Sequence, residues 1–186
     1  MSSRLARLVA AYRKYISAPW QPGLAGPQRV VFAVYDKADE LKLRVQLGEF
    51  EIATTAAGHP WHLIDVTNAF PEWMAAHKYR ESYFEDPDSL EGLGDGQVDG
   101  FASALKERVL NEIQGIEGDQ ALIGILGVGA LFGVARVSRL VEDVAPHIPG
   151  RLLVFFPGEY ADNNYRLLDA RDGWNYLAVP LLATDQ

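Results

Sequence analysis

The chain has 186 residues, no cysteine, and a formal net charge of −8 from 17 basic and 25 acidic residues. That length fits one domain able to bury a core without staples. The missing cysteines exclude disulfides, thiolate metal sites and cysteine nucleophiles, and the acidic balance argues against a protein that coats nucleic-acid phosphates. No apolar run approaches the roughly 20 residues that span a bilayer. Arg4, Arg7, Arg13 and Lys14 are spread through an amphipathic pattern instead of preceding a signal-peptide core. A soluble, cytoplasmic protein is expected.

Leu5, Leu8, Val9, Tyr12 and Ile16 recur at spacings of three and four. They predict a helix over 3–17, capped by Ser2 or Ser3. Pro19, Pro22, Gly23, Gly26 and Pro27 form a turn-rich linker. Residues 1–27 are read as a helix and linker, an arm for the main body or for a partner. Residues 28–186 are read as a single α/β domain.

The unbroken apolar run Val30 to Tyr35 predicts a buried strand. Residues 38–57 predict a helix with Leu41, Val45, Gly48, Ile52 and Ala56 in line, stopped by Gly58. His62 to Val66 follows as a second strand, so 30–66 reads as a βαβ crossover with parallel strands. Thr67 or Asn68 caps a helix bearing Phe70, Trp73 and Met74. Tyr79 to Asp88 reads as irregular, and Leu90 to Gly100 as an exposed Gly- and Asp-rich loop. Phe101, Leu105, Val109, Ile113 and Ile116 mark a helix over 101–116. Ala121 to Leu126 is a third strand, 134–147 a helix with Val137, Leu140, Val141 and Val144 inward, and Leu152 to Phe156 a fourth strand. Asp172-Gly173 between apolar runs predicts a C-terminal hairpin, and Pro180 favours an edge strand. The expectation is a three-layer α/β fold with a mixed, mainly parallel sheet of about five or six strands, flanking helices and that hairpin.

Several features bear on chemistry. Gly127, Gly129 and Gly133 follow a strand, where α/β folds hold phosphates, yet they match neither the P-loop nor the dinucleotide spacing. Tight packing of strand against helix is the competing reading. Arg136 and Arg139, three apart, share a helix face that grips an anion or simply meets solvent. Asp36 and Asp65 end strands, but two carboxylates fall short of a dedicated metal cage. The four histidines have no ligand spacing, and the serines lack a nucleophile-elbow context. No catalytic residue, metal or cofactor is expected. Trp73, Tyr79, Arg80 and Tyr83 combine aromatics with arginine as interface hot spots do; rim packing is the plainer account. Tyr160 and Tyr176, among Asn163, Asn164, Arg166, Asp169 and Asn175, suit a partner surface or turn chemistry.

Four segments share one further pattern: the strand–Gly-Val-Gly–helix with Arg136 and Arg139, Val154-Phe155-Phe156-Pro157-Gly158-Glu159-Tyr160, Tyr165-Arg166-Leu167-Leu168, and Asn175-Tyr176. Together with Val31 to Asp36 and the helix after it, this resembles the BrxB family, components of BREX bacteriophage-exclusion systems. Leu177 and Ala178 follow the Asn-Tyr pair where family members often carry an aromatic and an arginine. The resemblance implies a small cytoplasmic accessory protein without established catalytic residues, needed for phage restriction and host DNA modification. It also implies a partner, the large phosphatase-like PglZ component. A nucleotide- or phosphate-binding α/β protein with a degenerate glycine loop is the alternative, and direct nucleic-acid binding is disfavoured by charge.

Overall fold

An apolar strand without polar alternation has to be covered on both faces, and that requirement organises the molecule. The computed structural model describes residues 3–21, 23–91, 100–171 and 173–183. In it, β1 (Val30–Tyr35) is buried at every position. The sheet is completed by β2 (Trp61–Asp65), β3 (Leu122–Leu126), β4 (Arg151–Ala161), β5 (Asn164–Leu167) and β6 (Val179–Leu181). The order is β2-β3-β4-β1-β6 with every one of those pairs parallel. β5 runs antiparallel to the distal part of β4. The architecture is α/β with a mainly parallel sheet, as the sequence predicts.

The period-two alternation of strand side chains sorts the core into two halves. Val31, Ala33, Tyr35, Leu153 and Phe155 face one side. There they meet α1 (Arg4–Ile16), α2 (Glu40–Val45) and α3 (Leu47–Ala56) through Leu8, Tyr12, Leu43 and Phe50. Phe32, Val34, Ile123, Ile125, Val154 and Phe156 face the other side. The helices after β2 are α4 (Ala69–Ala76), α5 (Arg80–Glu85), α6 (Asp88–Glu91), α7 (Phe101–Gln114) and α8 (Val137–Val144). Of these, α4, α7 and α8 contribute buried residues to the second half. Ser3 caps α1, its side chain accepting the Ala6 N–H at 3.1 Å. With Leu5, Leu8, Val9, Tyr12 and Ile16 all buried, α1 packs on the body of this same chain. Among the described residues no helix is long and apolar enough to cross a membrane.

Several elements differ from their sequence-based expectation. β1 and β2 are parallel but not neighbours, because β3 and β4 lie between them. The predicted 38–57 helix breaks at Gln46, and the buried residues of α2 and α3 are Leu43, Phe50, Ala53 and Thr54. The predicted line Leu41, Val45, Gly48, Ile52, Ala56 is the exposed face instead. Both faces carry apolar residues at helical spacing, and periodicity alone does not say which one the sheet covers. The 79–88 stretch forms α5 and the start of α6 instead of irregular chain, while 92–99 of the predicted acidic loop lies outside the described residues. α8 begins later than predicted, after a 3-10 turn over Val128–Leu131. β4 continues through Pro157 and Gly158 because its second part pairs with β5. The tight hairpin turns at Asp162 and Asn163, both with positive φ (50° and 62°), as a two-residue hairpin turn of this kind demands. Asp172 lies outside the described residues. On either side of it Tyr165 and Trp174 exchange backbone N–H···O bonds of 2.8 Å in a single antiparallel bridge. β6 carries Pro180 at the sheet edge as expected, but pairs parallel with β1.

Candidate functional site

Two surfaces gather the residues singled out by sequence. The first is the junction of α4 and α5. His77 sits at its centre, 4.7 Å from the Trp73 ring, 5.8 Å from Tyr79 and 5.4 Å from Tyr83, centroid to centroid. Trp73 is anchored below by Phe101 at 5.6 Å and Phe70 at 6.1 Å. Lys78 lies over the Tyr79 ring at 4.5 Å. Arg80 donates to the Ala75 carbonyl at 2.8 Å, satisfying an orphan acceptor near the end of α4, and pairs with Glu81. Tyr79 and Phe84 remain 56% and 63% exposed. The result is an aromatic surface rimmed by Lys78 and Arg80, with the half-buried Trp73 as its anchor.

The second surface is a cavity of about 570 Å³ between the segment preceding α8 and the turn after β5. Phe132, Gly133, Arg136, Tyr165, Arg171 and Trp174 are on its wall. An aromatic chain runs through this region: Tyr160 to Tyr165 at 4.6 Å, Tyr165 to Trp174 at 6.2 Å, and Trp174 to Tyr176 at 4.6 Å. Tyr165 is fully buried and donates to the Ala178 carbonyl at 3.0 Å. Burial, with a smaller repulsion from Glu142, raises the Tyr176 phenol above its ordinary range. Tyr160 donates to Asn163 at 3.1 Å, and Asn164 to the Asp162 carbonyl at 3.0 Å, so these asparagines shape the hairpin turn.

The remaining sequence candidates, Arg136, Arg139, Tyr160 and Tyr176, are only partly brought together. Arg136 lines the cavity, but it precedes α8 in extended conformation, so it and Arg139 do not share a helix face. Arg139 pairs instead with Asp143 at 3.4 Å. The glycines also divide. Gly133 lines the cavity. Gly127, at φ +86°, sits where an added Cβ would come within 2.2 Å of Thr67 Oγ1 and 2.7 Å of the Thr67 nitrogen. Gly129 packs against Pro157. Close approach of Thr67 and of Pro157 explains Gly127 and Gly129. Sequence reasoning missed Phe132, Arg171 and Trp174 as cavity residues: the Asp-Gly pair predicts that the chain reverses between Tyr165 and Trp174, but not that the reversal faces Arg136.

The strand-end aspartates do not form a common site. Asp36 and Asp65 are three inter-strand spacings apart, roughly 14 Å. Asp36 caps the turn after β1 by accepting the Ala38 N–H at 2.9 Å. That bond, and then Arg4 beside it, holds its carboxyl below the usual range. For Asp65, burial pushes the carboxyl up, but hydrogen bonds from the Thr67 hydroxyl and N–H, with the Arg44 guanidinium, outweigh it and leave the pKa lowered. A cavity of about 320 Å³ lies beside Asp36, where Arg4 pairs with Asp36 and Lys37 with Asp169. Among the described residues no three His, Asp or Glu converge as a metal site requires. In comparisons with protein-family models, curated proteins and solved structures, none matches this chain.

Proposed function

We propose that this chain is a non-enzymatic adaptor of a BREX-type phage-defence system. In this reading it works in the cytoplasm and docks a larger, PglZ-like phosphatase-family protein through the α4–α5 surface. The observation that carries the docking role is the Trp73–His77–Tyr79–Tyr83 cluster with Lys78 and Arg80 at its rim. Aromatics and arginine dominate interface hot spots because they combine large buried area with a directional polar group. Lys78, and Arg80 with its partner Glu81, supply the polar groups that would orient a partner on this surface. The BREX context is supported by the Pro157-Gly158-Glu159-Tyr160 and Asn175-Tyr176 segments. The test is co-purification with the PglZ-like protein. Tyr79→Ala, Arg80→Ala and Tyr83→Ala together are expected to weaken binding at least about 30-fold, and unchanged binding would discard this surface.

The 570 Å³ cavity favours a second reading, phosphate or nucleotide binding between Arg136, Arg171 and Trp174. Two guanidiniums and an indole suit an anion with an attached ring. Thermal shift with ATP, GTP and Mg²⁺ decides it, since ligand at 100 times its Kd adds about 2.7 kcal/mol. No shift with any nucleotide removes that reading.

A further inference from the structure

Leu41, Val45, Gly48, Ile52 and Ala56 form a stripe along α2 and α3, and all five are exposed. Leu41, Val45 and Ile52 are 79, 87 and 58% exposed. The opposite side of the same helices is already in the core through Leu43, Phe50 and Ala53. The stripe survives the break at Gln46, where the chain keeps helical bonds from Gln46 N–H to the Lys42 carbonyl and from Glu49 N–H to the Gln46 carbonyl. A helix pair apolar on two opposite faces has one of them left uncovered here, and contiguous exposed apolar surface marks an interaction site.

The charges beside the stripe select the occupant. At about 100° per residue, Lys42 and Glu49 fall along one side of it, and Arg44 and Glu51 along the other. Each side carries a base followed two turns later by an acid. When two copies are related by a two-fold axis perpendicular to both helices, the helices run antiparallel and each side meets its own counterpart in reverse. Lys42 of one copy then lies opposite Glu49 of the other, and Arg44 opposite Glu51. With the axis midway between the two charge pairs, which staggers each by about 3 Å, Leu41 faces Ile52, and Val45 packs over Gly48, where an added Cβ would meet nothing within 4 Å in the single chain. Parallel copies would instead oppose Lys42 to Arg44 and Glu49 to Glu51, like against like. Arg44 is turned toward Glu40, Asp65 and Thr67. Lys42 and Glu49 therefore carry most of the selection. Both are also ion-paired within the chain, Lys42 with Asp39 and Glu49 with Arg13, but their side chains are 72% and 48% exposed and such surface pairs exchange at little cost.

The geometry points to a self-complementary docking face: α2–α3 pairs antiparallel with α2–α3 of a second copy of this chain, in an isologous contact. It is independent of the adaptor reading, which uses helices packed on the other face of the sheet.

Sedimentation equilibrium of the full chain from about 10 μM to about 1 mM covers the affinities expected of a contact this small. A dimer that grows with concentration is expected. Val45→Glu should weaken it at least about tenfold with an unchanged melting curve, because that side chain is 87% exposed. A monomer throughout overturns the proposal and leaves the stripe to a partner of another sequence. A dimer indifferent to Val45→Glu overturns it as well. The absence of native cysteine allows an orientation test. Gly48→Cys lies beside the axis and should form disulfide-linked dimers much faster than Leu41→Cys, whose two copies lie roughly 16 Å apart along the helices. Equal rates, or a faster Leu41→Cys, would make the pairing parallel and sink the antiparallel assignment.

Discussion

The Tyr12 hydroxyl and Thr54 Oγ1 meet at 2.5 Å in the core between α1 and α3. Thr54 also donates to the Phe50 carbonyl at 2.7 Å, so the tyrosine is the donor to the threonine oxygen. Burial raises the Tyr12 phenol far above its ordinary value, which keeps that proton in place across the whole working range. This is a buried polar tie between the N-terminal helix and the body, set beside the 5.0 Å contact of the Tyr12 and Phe50 rings. Tyr12→Phe should cost about 1 kcal/mol, the net worth of a buried neutral hydrogen bond. Tyr12→Ala should cost about 3 kcal/mol or more, because it also empties a core position. Urea denaturation of both variants measures the difference.

Gly127 and Gly133 both have positive φ, at 86° and 79°, yet they should respond very differently to alanine. At Gly133 no atom lies within 4 Å of the added Cβ. The cost there is the left-handed backbone alone, about 1–2 kcal/mol. At Gly127 the Cβ would overlap the Thr67 backbone as well, and the two loops must part. Gly127→Ala should exceed Gly133→Ala by about 1 kcal/mol or more. Equal losses by denaturant titration would show that the loops yield freely.

Asp65 links stability to acid. Its folded pKa is lowered, since the Thr67 bonds and Arg44 outweigh burial. In the acid range the unfolded chain therefore binds the proton more readily than the folded one. The stabilising contribution is complete above the unfolded value near 4 and is lost as pH falls through the lower folded value. Between about pH 5 and about pH 2.5, the melting temperature of Asp65→Asn should fall less steeply than that of the native chain. Parallel slopes in a thermal melt would mean that Asp65 contributes nothing.

On the α4–α5 surface, anchor and rim should separate. Trp73 is half-buried against Phe70 and Phe101, so Trp73→Ala should cost roughly 2 kcal/mol of stability whatever it does to binding. Tyr79 is 56% exposed, and Tyr79→Ala should stay within about 0.5 kcal/mol of native stability. Calorimetric melting distinguishes the two, and a large loss for Tyr79→Ala would make that ring structural.

The sequence by itself determined the elements whose apolar pattern admits one solution. β1 is apolar at every position and therefore central. α1, α7 and α8 each carry one clean stripe and bury the residues that the spacing predicts, save Ile116, which lies past the end of α7 and is only partly buried. The aromatic group around His77 was also legible, because its members are close in sequence. Tertiary structure alone decided the rest. α2–α3 is apolar on two faces, and only the sheet beneath selects Leu43 and Phe50 over Val45 and Ile52. Strand order separates Asp36 from Asp65, because the two strands between them are supplied by chain that follows both. The Asp-Gly pair predicts a reversal between Tyr165 and Trp174, but which residues bridge across it, and that a cavity with Arg136 results, rests on backbone hydrogen bonds and on a loop far away in the chain.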